Sequence, residues 1–200
     1  MEPRITLAAG QLGRMRGMNA AYHRQFFSDI RFTTSVVLAL FVAGAAIDPL
    51  IHLGIPFVAL LGATQTAFAA SYLLFSRHYS THLEQYLARH AQADSLIAHK
   101  LEDEYLFRLG TPKIVVAGRP WTWFGYMTLF YTALGITTYV AGLAAGWEAL
   151  WSALPLPVAV SYLATLSLLT ISALIVGVAW FVRGEGETRL ISVLAENTPD

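Results

Sequence analysis

Two hundred residues, 56% of them hydrophobic and only 13% charged, with a mean hydropathy of +0.52, are too apolar for an ordinary soluble domain. The formal net charge of zero says little about partners, and no nucleic-acid partner is expected. The absence of cysteine excludes disulfides, thiolate metal sites, iron–sulfur clusters and thiol redox chemistry together.

The charges are unevenly placed. No Asp, Glu, Lys or Arg occurs in 32–47, 49–76, 120–147 or 149–182. A helix needs about 20 apolar residues to cross the hydrocarbon core. The runs therefore predict membrane spans at Phe32–Ile47, Phe57–Ser76, Trp121–Leu143 and Leu156–Val182, the first lengthened by apolar neighbours. The expected fold is all-α: a polytopic integral membrane protein with four transmembrane helices in two hairpins and a cytoplasmic helical extension of the second span.

In chain order, 1–31 is a cytoplasmic amphipathic helix. Its apolar residues Leu12, Met15, Met18, Tyr22 and Phe26 recur every three or four positions, with arginines off the stripe. It either lies on the membrane surface or runs straight into the first span. It is not read as a cleavable signal peptide, because the first apolar run starts near residue 32; a mitochondrial transit peptide is the alternative.

The first hairpin, 32–76, carries Ser35, Ala39 and Ala43 in span one and Gly62, Gln65, Thr66 and Ala70 in span two. Segment 77–120 is a cytoplasmic helix followed by the loop "GTPKIVVAGRP", punctuated by Gly and Pro at both ends. Wound as one helix, Tyr79, Leu83, Tyr86, His90, Ala93, Ile97 and Leu101 form a near-heptad packing seam. His78 and His82, four apart, share a face, and His23 is the candidate third ligand of an intersegment metal site. Arg89 on that face repels a cation, so interfacial histidines are the favoured reading and no metal or cofactor is expected. Glu102, Asp103 and Glu104 diverge by about 100° per residue and read as a solvated helix end rather than an acid–base pair.

The second hairpin, 121–182, holds Thr128, Gly135, Gly142 and Gly146, the last two a G-x-x-x-G, in span three. Ser161, Thr165 and Ser172 share one face of span four. Small residues at such spacing allow close helix approach, and hydroxyls and amides can bond across it. Packing within one bundle is the favoured reading for the stripes; the alternative is that Gln65, Thr66, Ser161, Thr165 and Ser172 line a polar path in an oligomer.

All 13 basic residues fall in 1–31, 77–119 or 183–189, and neither short loop at the other face has one. The positive-inside rule then puts both termini, the short tail 183–200 and the middle segment in the cytoplasm, in the cell (inner) membrane of a multi-pass protein. Trp121, Trp123 and Trp180 would mark the inner interface, and Trp147 and Trp151 the outer.

The spans hold no ionisable residue, which argues against proton relays and intramembrane proteolysis. No G-x-S-x-G, H-E-x-x-H, P-loop or dinucleotide fingerprint occurs, so an enzyme is the minority reading. The layout resembles small bacterial membrane effectors of antiphage operons, which join amphipathic cytoplasmic helices to transmembrane hairpins; no motif carries the likeness and no residue is transferred on it. The leading expectation is a non-enzymatic, pore-forming or membrane-permeabilising effector or channel. Its partners would be the bilayer and further copies of itself, and its cytoplasmic helices would control it. The alternatives are an assembly subunit of a larger membrane complex and a transporter of a neutral or lipid-like substrate.

Overall fold

A computed structural model of the chain describes residues 3–91, 97–105, 109 and 123–196. Those residues are helical, with no strand among them: α1 Pro3–Ala46, a 3₁₀ helix Pro49–Leu53, α2 Gly54–Ala91, α3 Ala98–Tyr105, α4 Trp123–Ser152, α5 Leu156–Gly177, a π-helical turn Val178–Val182, and α6 Glu185–Glu196. Among the described residues four helical stretches, those of α1, α2, α4 and α5, are long and apolar enough to cross a membrane.

Local chemistry sets the boundaries. Pro3 opens α1, where its missing N–H costs nothing. The helix then continues unbroken through Gly10, Gly13 and Gly17 for 44 residues, so the amphipathic stretch runs directly into the first apolar run. It stops before Pro49, whose ring disfavours a helical conformation in the preceding residue. Asp48 is accordingly extended, and its carboxylate accepts the Leu50 amide at 2.8 Å to cap the 3₁₀ helix. Beyond α5 the Arg183 amide donates to the Val178 carbonyl at 2.9 Å, a spacing of five residues in place of four. Gly184 follows at φ 70°, a left-handed conformation that glycine adopts without strain. Glu185 and Glu187 then sit in the first turn of α6, where the helix dipole favours acid.

One expectation is corrected. The stretch from Tyr79 to Leu101 is not one helix: α2 ends at Ala91 and α3 begins at Ala98. Ile97 therefore lies off the helix that carries Tyr79, Leu83, Tyr86 and His90. Ala93, Trp121 and the loop 110–120 lie outside the described residues.

The chain divides into two compact units. The first gathers 1–25, 68–128 and 178–200, and the second 26–67 and 129–177. In the first, Ala8, Leu12 and Met15 of α1 bury against Leu83 and Leu87 of α2, with Met18, Phe75, Tyr79 and Tyr86 around them. Tyr22 stacks on Tyr72 with centroids 4.7 Å apart. Of the seam, Tyr79, Leu83 and Tyr86 belong to this cluster with the chain's own N-terminal stripe.

The second unit centres on Leu53, Leu150 and Ala159, with Tyr162 and Leu163 packed against them. Glycine makes room for close approach at four places: Gly44 beside the His52 ring, Gly62 beside Thr33, Gly142 beside Ile55 and Pro56, and Gly146 beside Leu53. Gly135, by contrast, faces open space. Large apolar side chains such as Leu38, Val42, Ile136, Leu168 and Leu174 are exposed, a surface that in water would need a cover.

A Cβ placed on Gly142 would come 2.6 Å from the Ile55 Cβ, and Ile55 is fully buried and cannot yield. Gly142→Ala is expected to destabilise the protein by about 1–3 kcal/mol, as overpacking does. Gly135→Ala should be neutral or slightly stabilising. Thermal unfolding in detergent, followed by circular dichroism, compares the two.

Candidate functional site

The most concentrated chemistry lies in the first unit, on the part of α2 that follows its apolar run. Arg77, the first charged residue after Ser76, is only 2% exposed, and so is Glu84 seven residues later. Charges are almost never buried without partners. Both have them. The Arg77 Nε donates to Glu102 Oε2 at 3.2 Å and its Nη2 to Asp103 Oδ1 at 2.8 Å. Glu84 accepts from Arg16 of α1, and its other oxygen lies 3.0 Å from the His99 amide and 2.9 Å from His99 Nδ1.

The His99 amide belongs to the first turn of α3, where backbone N–H groups lack intrahelical acceptors. Glu84 thus caps α3 from a different helix, and its negative charge meets the positive end of the α3 dipole. α3 is held at both ends by opposite charges on α2. Glu102 and Asp103, about one-third exposed, also converge on Arg77, a contact the sequence reading did not foresee, while Glu104 is exposed. Two residues 100° apart both reach one guanidinium, because its fork presents several donors in a plane.

A third buried pair joins α2 to α6: His78 Nε2 lies 2.9 Å from Glu187 Oε1. The missing side chain of Gly186 leaves room for the Trp180 indole, and the Arg189 guanidinium stands over the same ring at 5.8 Å. Tyr79 donates its hydroxyl to Gln11 Oε1 at 2.7 Å. Asn19 Oδ1 and Ser80 Oγ are buried and find no hydrogen-bond partner among the described residues.

The titratable groups follow their surroundings. Burial pushes the Glu84 carboxyl up, but the Arg16 guanidinium and the His99 donors outweigh it and hold it below the ordinary glutamate value. His23 is lowered, chiefly by burial, with Glu102 opposing and Arg77 adding to the shift. His82 is lowered by burial and then by Arg89.

The residues singled out from the sequence fare differently. Tyr79, Leu83 and Tyr86 meet α1, whereas His90 is exposed, stacked on Tyr86 with its Nδ1 2.9 Å from the Tyr86 carbonyl. Ile97 is exposed. His23, His78 and His82 do not come together as a metal site; among the described residues no group of three or more His, Asp or Glu could hold one. Gln65, Ser161, Thr165 and Ser172 are exposed on their helices, and Thr66 turns its hydroxyl back onto the Gly62 carbonyl at 2.9 Å. Two polar contacts inside the second unit escaped sequence reasoning: the hydroxyls of Tyr139 and Thr170 meet at 3.0 Å, and Tyr162 donates to the Leu53 carbonyl at 2.9 Å. A tyrosine within an apolar run was the available signal, since a buried phenol needs a partner.

Compared with known protein families, characterised proteins and solved structures, the chain matches none.

Arg77→Ala removes the partner of two carboxylates, which are each about one-third exposed and so can rehydrate. The expected loss is about 2–3 kcal/mol, below that of breaking a fully buried pair, read from denaturant titration in detergent.

Acid should also destabilise the first unit. His23 and His82 bind protons more readily in the unfolded chain, near pH 6.5, than in the fold. Stability therefore rises with pH, and falls once pH drops below that value. Glu84 acts lower down: its stabilisation is complete above the unfolded value of 4.5 and is lost as pH falls through its depressed folded value. In melting temperatures measured against pH, replacing both histidines by Gln should flatten the upper part of the decline and Glu84→Gln the lower.

Proposed function

We propose that the chain is a non-enzymatic, multi-pass membrane protein that assembles with copies of itself to permeabilise the bilayer, under the control of its cytoplasmic helices. In this reading the four long apolar helices insert as two hairpins. The clustering of all basic residues at 1–31, 77–119 and 183–189 supports a cytoplasmic position for both termini and for the first unit.

The observation that carries the proposal is where the polar side chains of the apolar runs point. Gln65, Ser161 and Thr165 are exposed on their helices and make no hydrogen bond among the described residues, while the hydroxyls of Thr66, Tyr139, Tyr162 and Ser172 are satisfied inside the chain. Polar groups on the outside of a membrane helix need either a protein neighbour or water. An assembly that brings such faces together offers both, with a hydrated path between copies. The fit of α3 and α6 against the α2 extension supports a role in control: helices held by polar contacts of buried side chains have a defined seat from which a signal or partner could release them.

A docking subunit of a larger membrane complex is the second reading. It is favoured by Ile97 and Leu101, exposed beside and on α3 while His99, Glu102 and Asp103 of that helix contact α2. Such an exposed apolar pair would suit an apolar protein partner outside the bilayer.

Expression from a tight inducible promoter, with membrane potential followed by a voltage-sensitive dye, separates the two. Rapid depolarisation by the wild type, lost in an equally abundant Gln65→Leu variant, is the expected result. Unchanged potential with both proteins would sink an autonomous pore and leave the docking subunit.

A further inference from the structure

Gln65 lies near the middle of the apolar run 57–76. α2 exposes Leu61, Thr64 and Gln65 together, with Leu61 59% exposed. The hydroxyls near it make no demand on a neighbour: Thr64 donates to the Leu60 carbonyl at 2.9 Å, and Thr66 to the Gly62 carbonyl. Gln65 differs. Its amide makes no hydrogen bond among the described residues. A primary amide brings two donors and two acceptor lone pairs, and lipid chains can meet none of them.

We infer that the exposed α2 face centred on Gln65 is a homotypic contact, in which Gln65 of one copy pairs with Gln65 of a second copy through reciprocal amide hydrogen bonds. Two features of the side chain select this occupant. A carboxamide is self-complementary, because its N–H can donate to the oxygen of an identical group while accepting in return. Rotational symmetry about the membrane normal also sets each residue at the same depth in every copy. Two Gln65 amides therefore meet at one level with no adjustment of register. A different protein would have to present a polar group at that depth, and lipid offers none. Leu61, one turn away on the same face, would flank the pair on one side. The inference rests on the proposed self-assembly in the membrane and names the surface through which it occurs.

The chain's lack of cysteine makes the test direct, since a single introduced thiol reports one position. Leu61→Cys, on this face, and Leu168→Cys, exposed on α5, are oxidised in native membranes and read by non-reducing electrophoresis. A disulfide forms only when the two Cα atoms come within about 7 Å. The expected result is a covalent dimer for Leu61→Cys, several-fold more abundant than for Leu168→Cys. Adding Gln65→Leu should weaken association by about three- to twenty-fold, the range for one interhelical hydrogen-bonded contact in a membrane, with a matching loss of dimer.

No dimer at Leu61→Cys, equal yields at both positions, or a cross-link to a different protein would each overturn the inference. So would full dimer yield in the Gln65→Leu background. Depolarisation separates this from the broader reading: cross-linking without depolarisation keeps the contact and removes the pore, whereas depolarisation without cross-linking removes this contact and leaves the pore to another face.

Discussion

Two buried charges of opposite sign, Arg77 and Glu84, organise the first unit. They stand about two helical turns apart on α2, and each is only 2% exposed. Neither could stay there unpaired, so the segments around them are arranged to supply counter-charge. Glu84 draws in Arg16 from α1 and the opening turn of α3; Arg77 draws in Glu102 and Asp103. The order of charges also sets direction. With α3 reversed along α2, two carboxylates would face Glu84 and Arg77 would face a histidine. Ion pairs of this kind contribute little net stability compared with apolar packing, but they discriminate strongly against the wrong arrangement.

The second unit is held by other means. Its apolar core at Leu53, Leu150 and Ala159 is joined by glycines set against side chains and by a few hydroxyl bonds. Gly142 and Gly146 receive Ile55, Pro56 and Leu53, so the G-x-x-x-G is occupied within the chain and is not free for a neighbouring copy. Gly135, on the same helix, meets nothing. The proposed assembly thus has to draw on side chains other than the motif that a sequence scan would favour.

Composition made the helical class and the number of long apolar helices legible, because a charge-free run of about 20 residues has few other uses. The stripe Leu12, Met15, Met18 was equally readable, and it packs where a stripe should, on another helix. The polar cluster was not. Reading 79–101 as one continuous helix spread its charges around a cylinder, whereas α3 is a separate helix, with Ile97 outside both, and residues about 25 positions apart meet. Periodicity assumes continuity, and no glycine or proline stands between Tyr79 and Leu101 to signal two helices. A positional hint was available: an arginine two residues past the last apolar residue, Phe75, with an acid on the same helical face two turns on.

The π turn at Val178–Val182 carries a consequence of its own. Its wider bond, from the Arg183 amide to the Val178 carbonyl, takes up one residue more than an α-turn would. Within the first unit that extra residue lies between Val178 and the glycine turn at Gly184, so the length of this connection bears on the register in which Gly186 meets Trp180.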